Sequence, residues 1–176
     1  VAAAGLSEGK LSAVTTIEDT GEIRIGEFRY GNWFFDQYGR TEGALQLPRA
    51  ITRSNDIFFY KVGEWVGAEA LAQWAKKLGL GEKTGIDTTG EGDGLVPDPL
   101  WKERVIGERW FLGNTYHMAI GQGDVRVTPL QAGVMTASVI TGQRCTPRLI
   151  NSSTHQLINS SFQVFESIPT STCKDV

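Results

Sequence analysis

An α+β fold, rich in helix and poor in strand, is the class this chain of 176 residues predicts, and three observations predict it. Apolar residues recur at helical spacing through most of the stretch from Leu45 to Leu78. A helix start stands at Thr128-Pro129-Leu130-Gln131, with Thr128 as the cap, Pro129 as the first helical residue and Gln131 closing a capping box. Strict alternation is confined to short pieces such as Glu22-Ile23-Arg24-Ile25, so strand is the minor component.

Taken in order, Val1 to Leu6 reads as the tail of a helix that Gly9 ends. Lys10 to Gly43 reads as loop with one strand at Glu22 to Ile25, and it carries an aromatic cluster: Tyr30, Trp33, Phe34, Phe35 and Tyr38. The cluster is a satellite core or the wall of a groove; core is the expectation, because aromatic side chains usually pack inside. Leu45, Leu47, Ala50 and Ile51 form one helical face, and Ile57, Phe58, Val62, Trp65 and Val66 form another beyond Asp56. Ala68 to Leu78 is a third helix, with Lys76 and Lys77 in its last turn and Gly79 as its stop. Gly79 to Trp101, rich in Gly, Asp, Thr and Pro, reads as loop. Gly121 and Gly123 mark a tight backbone passage, and Leu130 to Ile140 is a fourth helix ended near Gly142. Beyond Pro147 the chain turns to Ser, Thr and Asn, with short alternating pieces at Leu149-Ile150 and Phe162 to Phe165.

Composition excludes several classes. An apolar content of 40% with five Trp supports a packed core. A net charge of −3 and a pI of 5.4 leave no footprint for nucleic acid, which calls for a basic patch. No apolar run approaches the roughly 20 residues of a membrane span. The chain opens on Val1-Ala2-Ala3-Ala4 without Met and within a helical pattern, so it reads as a fragment. Cys145 and Cys173 have neither redox nor metal spacing, and His117 and His155 lack ligand partners nearby, so neither a zinc site nor any cofactor is expected.

Some strings imitate chemistry without its spacing. Gly79 to Gly85 resembles a phosphate loop, but Glu82 precedes Lys83 where that loop needs glycine. The acidic run Asp87 to Gly94 lacks the alternation and closing Glu of a calcium loop. Asn151 and Asn159 begin glycosylation sequons that are short enough to arise by chance. Ser7-Glu8-Gly9-Lys10 has the letters of Ser-x-x-Lys, yet that pair needs an unbroken helical turn to bring amine and hydroxyl to one face, and Gly9 breaks it. Lys83-Thr84-Gly85 has the letters of Lys-Thr-Gly, but it lies in a loop after a helix rather than on a strand lining a cleft. Arg53-Ser54-Asn55-Asp56 interrupts two apolar helical segments, where Ser54 and Asp56 are placed to cap the second.

The order of these strings resembles the transpeptidase domain of penicillin-binding proteins, in its monofunctional, elongation-type class. Asn32-Trp33 is similar to the pair bordering that family's cleft, and Ser54-Asn55-Asp56, followed by Phe58-Phe59-Tyr60, to its second motif. Thr84-Gly85-Ile86-Asp87, Pro97, Trp101 and Ala119 to Gln131 continue the series. The likeness runs over residues 1–150, and 151–176 are an unplaced continuation of the same partial domain.

The resemblance implies the penicillin-binding transpeptidase and serine β-lactamase-like fold, mainly its helical subdomain, with the central antiparallel sheet incomplete. It implies a peptidoglycan D,D-transpeptidase whose nucleophilic serine lies upstream of Val1, with stem peptides ending in D-Ala-D-Ala and β-lactams as ligands. The parent would act at the periplasmic or extracellular face of the inner membrane, anchored outside this chain beside a membrane glycosyltransferase. Ser54 and Asp56 are the expected catalytic residues, Ser54 relaying a proton and Asp56 holding the active-site lysine, while Trp33 and Asn55 are expected to bind substrate. Some members hold a metal before the second motif; Asp19 is present, but Asn32 and Arg40 replace other ligands, so no metal is expected. Without a valid Ser-x-x-Lys or Lys-Thr-Gly, the chain alone is expected to be inactive. The alternatives are a non-catalytic binding or sensor module, or a β-lactamase or carboxypeptidase relative.

Overall fold

A computed structural model describes residues 1–149. In chain order its elements are α1 (Ala2–Ser7), β1 (Thr16–Asp19), β2 (Glu22–Ile25), β3 (Phe28–Gly31), α2 (Trp33–Tyr38), β4 (Gly43–Gln46), α3 (Leu47–Arg53), α4 (Asp56–Val66), α5 (Ala68–Lys77), α6 (Pro99–Trp101), a π-helical turn (Lys102–Ile106), α7 (Leu112–Ala119) and α8 (Pro129–Thr141). The chain divides into two compact units, Val1–Leu71 with Asp98–Gly123 and Ala72–Pro97 with Asp124–Val176. Among the described residues no helix is long and apolar enough to cross a membrane.

The first unit is organised around α4. Asn55 caps this helix by accepting a hydrogen bond from Phe58 N at 2.9 Å, and Ile57, Phe58 and Val62 turn one face inward. Phe58 and Val62 join Leu11, Ile17, Leu45, Leu47 and Ala50 in a single cluster. Each large side chain buried this way contributes roughly 1.5–3 kcal/mol. Gly63 lets α7 come close, since a Cβ there would stand 2.6 Å from that of Ala119. Beside this contact the rings of Tyr60 and Tyr116 stack at 5.0 Å, with Tyr30 set edge-on to both.

The strand expected at Glu22 to Ile25 is β2, paired with β3 as an antiparallel hairpin. A second antiparallel pair joins β1 to β4 with Ile17 opposite Leu45, which corrects two expectations. Leu45 belongs to a strand rather than to a helical face, and Ile51 is exposed. Strands of four residues offer too little alternation to be read locally, and the pairing of β1 with β4 is a long-range event. The aromatic cluster is corrected in part, since Tyr30 packs against Ile57, Tyr60 and Tyr116 but the other four residues do not form a core. Residues 33–38 form α2, which has no buried residue, and Trp33 and Tyr38 are 39% and 55% exposed. The segment Trp-Phe-Phe-Asp-Gln-Tyr is too short, and its apolar arc too broad, for its periodicity to assign which residues are buried.

In the second unit Ala72, Trp74, Leu78, Val96, Val134 and Cys145 are buried. The expected capping box is present: Thr128 Oγ1 accepts from Gln131 N, and Gln131 Oε1 accepts from Thr128 N, both at 3.2 Å. Gln131 is fully buried, and its Nε2 donates to the carbonyls of Glu82 (2.7 Å) and Asp93 (2.8 Å). Ile150, Phe162 to Phe165, both sequons, His155 and Cys173 lie outside the described residues.

Three helices end in the same way. After α1, α5 and α7, a glycine with positive φ (Gly9, Gly79 and Gly121) and the residue after it return their N–H groups to the last helical turn. Glycine suits this left-handed position because it carries no Cβ to crowd the following carbonyl.

Candidate active site

The end of α3 repeats that backbone pattern with a different residue. Ser54 N donates to Ile51 O at 3.1 Å and Asn55 N to Ala50 O at 3.0 Å, while Ser54 takes φ 50° and ψ 50°. Among the described residues Ser54 alone, glycine aside, has positive φ. A side chain in this region costs on the order of 1–2 kcal/mol, so something else must hold it there. Its side chain is exposed, and its hydroxyl has no hydrogen-bond partner among the described residues.

What holds it is a clasp between two helix N-termini. Asn32, the cap of α2, accepts from Asp56 N at 3.3 Å, and Asp56, the first residue of α4, accepts from Trp33 N at 3.1 Å. Each helix thereby satisfies a donor that the other leaves open. Trp33 Nε1 donates to Arg53 O at 3.0 Å, which ties the indole to the residue before Ser54. Capping of α4 by Ser54 or Asp56 is thus corrected, since Asn55 caps it and Asp56 serves α2 instead.

Beneath the clasp lies Asp19. It is buried and accepts from Gly21 N (2.8 Å), Asn32 Nδ2 (3.0 Å) and Glu42 N (2.9 Å). Its oxygens face N–H donors, the wrong chemistry for a cation, and among the described residues no cluster of three or more metal-ligating side chains exists. The Glu42 carboxylate, 4% exposed, pairs with the Arg53 guanidinium and accepts from Asn55 Nδ2 at 3.3 Å. That guanidinium stands over the rings of Trp33 (5.5 Å) and Phe34 (5.1 Å). Asn55 was expected to bind substrate, but it is fully buried with both ends of its amide occupied. It braces the junction from inside.

Electrostatics follow from this burial. Desolvation raises the Asp56 carboxyl above its ordinary range; the Trp33 N–H opposes this only in part, and Asp36 and Asp19 add to the rise. Tyr60 is pushed up to about 12 by burial first and by the charge of Asp56 next. Asp56 is therefore a carboxylate that gains from a cation placed beside it.

The two imitation motifs resolve into structure. Ser7 closes α1, and Gly9 at φ 65° turns the chain before Lys10. Thr84 is buried; its N–H and hydroxyl both donate to Glu91 Oε1, at 2.7 and 2.5 Å, and Gly85 N donates to Oε2 at 3.2 Å. Burial alone would raise the Glu91 carboxyl, but these hydrogen bonds prevail and lower it. The loop is closed by its own carboxylate.

The sequence model of the penicillin binding protein transpeptidase domain matches residues 1–176. The chain belongs to this family. It is 35% identical over 134 residues to peptidoglycan D,D-transpeptidase MrdA of Acinetobacter baumannii, covering 76% of this chain and 20% of that protein. The match to MrdA of Escherichia coli K12 is 36% over 133 residues, with 74% and 20% covered. Among solved structures, a penicillin-binding protein (PBP2) from Helicobacter pylori superposes with a TM-score of 0.84 at 31% identity, over 99% of this chain and 31% of that one. Pseudomonas aeruginosa PBP2, solved in complex with WCK 5153, gives 0.85 at 27% identity, with 99% and 40% covered. The chain thus spans about a fifth of the length of these curated relatives. The α+β transpeptidase fold expected from the sequence is the fold observed.

Within this transpeptidase family member, the fold brings Trp33, Ser54 and Asp56 together and sets Asn55 below them. Sequence reasoning missed Glu42 and Arg53, and it considered Asp19 only as a metal ligand. Asp19 reaches Glu42 across 23 positions, a separation at which no spacing rule operates.

Proposed function

We propose that this chain is the part of a peptidoglycan D,D-transpeptidase that supplies the proton-relay serine and one wall of the substrate cleft. The observation that carries the reading is the exposed, strained Ser54, set in the chain between Arg53 and Asp56, both of which Trp33 binds, in a chain of this family. The acylated serine and its lysine are assigned to the remainder of the protein. That serine attacks the D-Ala-D-Ala carbonyl, expels the terminal D-Ala and passes the acyl group to an acceptor amine; β-lactams acylate the same atom. Ser54 both accepts and donates a proton, as a relay between lysine and the leaving or attacking amine requires. Asp56 sets the lysine, whose positive charge relieves the cost of the half-buried carboxylate. Trp33 presents its exposed face to the stem peptide. The complete enzyme works at the outer face of the inner membrane, held by an anchor beyond these residues and beside a glycosyltransferase. A structure of H. pylori PBP2 with MreC shows that a relative is held in a protein complex, which supports a scaffolded setting.

Ser54→Ala in the full-length protein tests this. Acylation by a fluorescent penicillin is expected to slow by about two orders of magnitude, the size of a lost proton-transfer group. An unchanged rate would leave Ser54 with a backbone role alone.

A further inference from the structure

Next to the clasp, a cavity of about 700 Å³ is lined by three arginines, Arg40, Arg49 and Arg53, and one carboxylate, Glu42. Glu42 is spent on Arg53 and Asn55. Arg40 and Arg49 are exposed and make no ion pair among the described residues. The lining therefore holds two uncompensated positive charges in a chain whose net charge is −3. Phe34 and Pro48 supply apolar walls, and Thr52 has its hydroxyl turned to Pro48 O at 2.9 Å. Planar guanidinium forks match the two oxygens of a carboxylate, and a cavity of this size admits a short peptide end.

We propose that this cavity is a carboxylate-binding subsite for the acceptor strand, in which Arg40 and Arg49 grip the free carboxylate of its stem peptide. The inference rests on the transpeptidase reading above and adds where the second substrate is held. Arg53 links the subsite to the reaction. Its guanidinium lines the cavity and covers Trp33, and its carbonyl fixes the indole beside Ser54. A peptide anchored by its carboxylate would run along Phe34 and Trp33 with its amine toward Ser54.

Calorimetric titration of the full-length protein with acetyl-D-alanine and with its amide tests the site without requiring turnover. The acid is expected to bind about tenfold more tightly than the amide, and the Arg40→Gln/Arg49→Gln variant to erase that difference. Affinity for the acid should also fall as salt rises, since exposed arginines are screened. Equal affinities for acid and amide would overturn the proposal, as would displacement of the acid by inorganic phosphate at the same concentration, which would mark a site for any small anion. In turnover the double variant should raise KM about tenfold for an acceptor with a free carboxylate and leave an amidated acceptor unaffected. An equal loss with both acceptors overturns it. Should the double variant melt early, the single variants Arg40→Gln and Arg49→Gln each carry the same comparison. Penicillin labelling of the unmodified protein reports on the transpeptidase reading separately, so failure of one reading is distinct from failure of the other.

Discussion

The ends of α3 and α7 are built on one backbone pattern and differ in the residue that completes it. Gly121 closes α7 at φ 73°, and Ser54 closes α3 at φ 50° with the same pair of returning N–H groups. At Gly121 the residue itself relieves the strain, and a Cβ there would meet nothing within 4 Å. At Ser54 the strain remains and is offset by the clasp of Asn32, Trp33 and Asp56. A left-handed position that supports only the fold is filled by glycine in α1, α5 and α7. Where a hydroxyl is presented, the neighbours supply the stability that the residue gives up.

This contrast can be broken at several points. Asp19→Ala would strand two buried donors and one part-buried donor beneath the clasp, with an expected loss of about 3 kcal/mol in urea unfolding. A loss under about 1 kcal/mol would show that Ser54 holds its own conformation. Gly79→Ala should cost about 2 kcal/mol, combining left-handed strain with a Cβ placed 2.9 Å from Val134 Cγ1. Gly121→Ser isolates the conformational part, about 1 kcal/mol by thermal melting, because space is free around it. A neutral Gly121→Ser would remove the basis for calling Ser54 strained. Smallest is Ser54→Gly, expected to stabilise by roughly 0.5–1 kcal/mol while slowing penicillin acylation. Stability and activity moving together at this position would contradict the trade between them.

The legible parts of the molecule share one property. The box of Thr128 and Gln131, the stops at Gly9, Gly79 and Gly142, and the Ile57, Phe58 and Val62 part of the α4 face each involve residues within about one or two turns of one another, where helix geometry settles who meets whom; Trp65, expected on the same face, is instead 41% exposed. The pairing of β1 with β4, the hairpin partner β3 and the exposed helix α2 were not legible, because four-residue strands and a short aromatic segment carry no decisive period. The junction at Ser54 was partly legible. Its residue types and order resembled a known motif, but local rules assigned the cap to the wrong neighbours.

By itself, then, the sequence determined α1, α3, α4, α5 and α8, the capping box of α8, the glycine stops and the order of motifs that marks the family, since all of these depend on neighbours along the chain. Only the tertiary structure decided which motifs have their polar groups engaged. Glu91 closes the Lys83-Thr84-Gly85 loop, and Asn55 is sealed beneath the junction. Asp19 underpins the clasp that leaves Ser54 strained and exposed. The reason is physical: a hydroxyl or carboxylate has the same letters wherever it stands, and its availability depends on donors and acceptors brought to it from far along the chain.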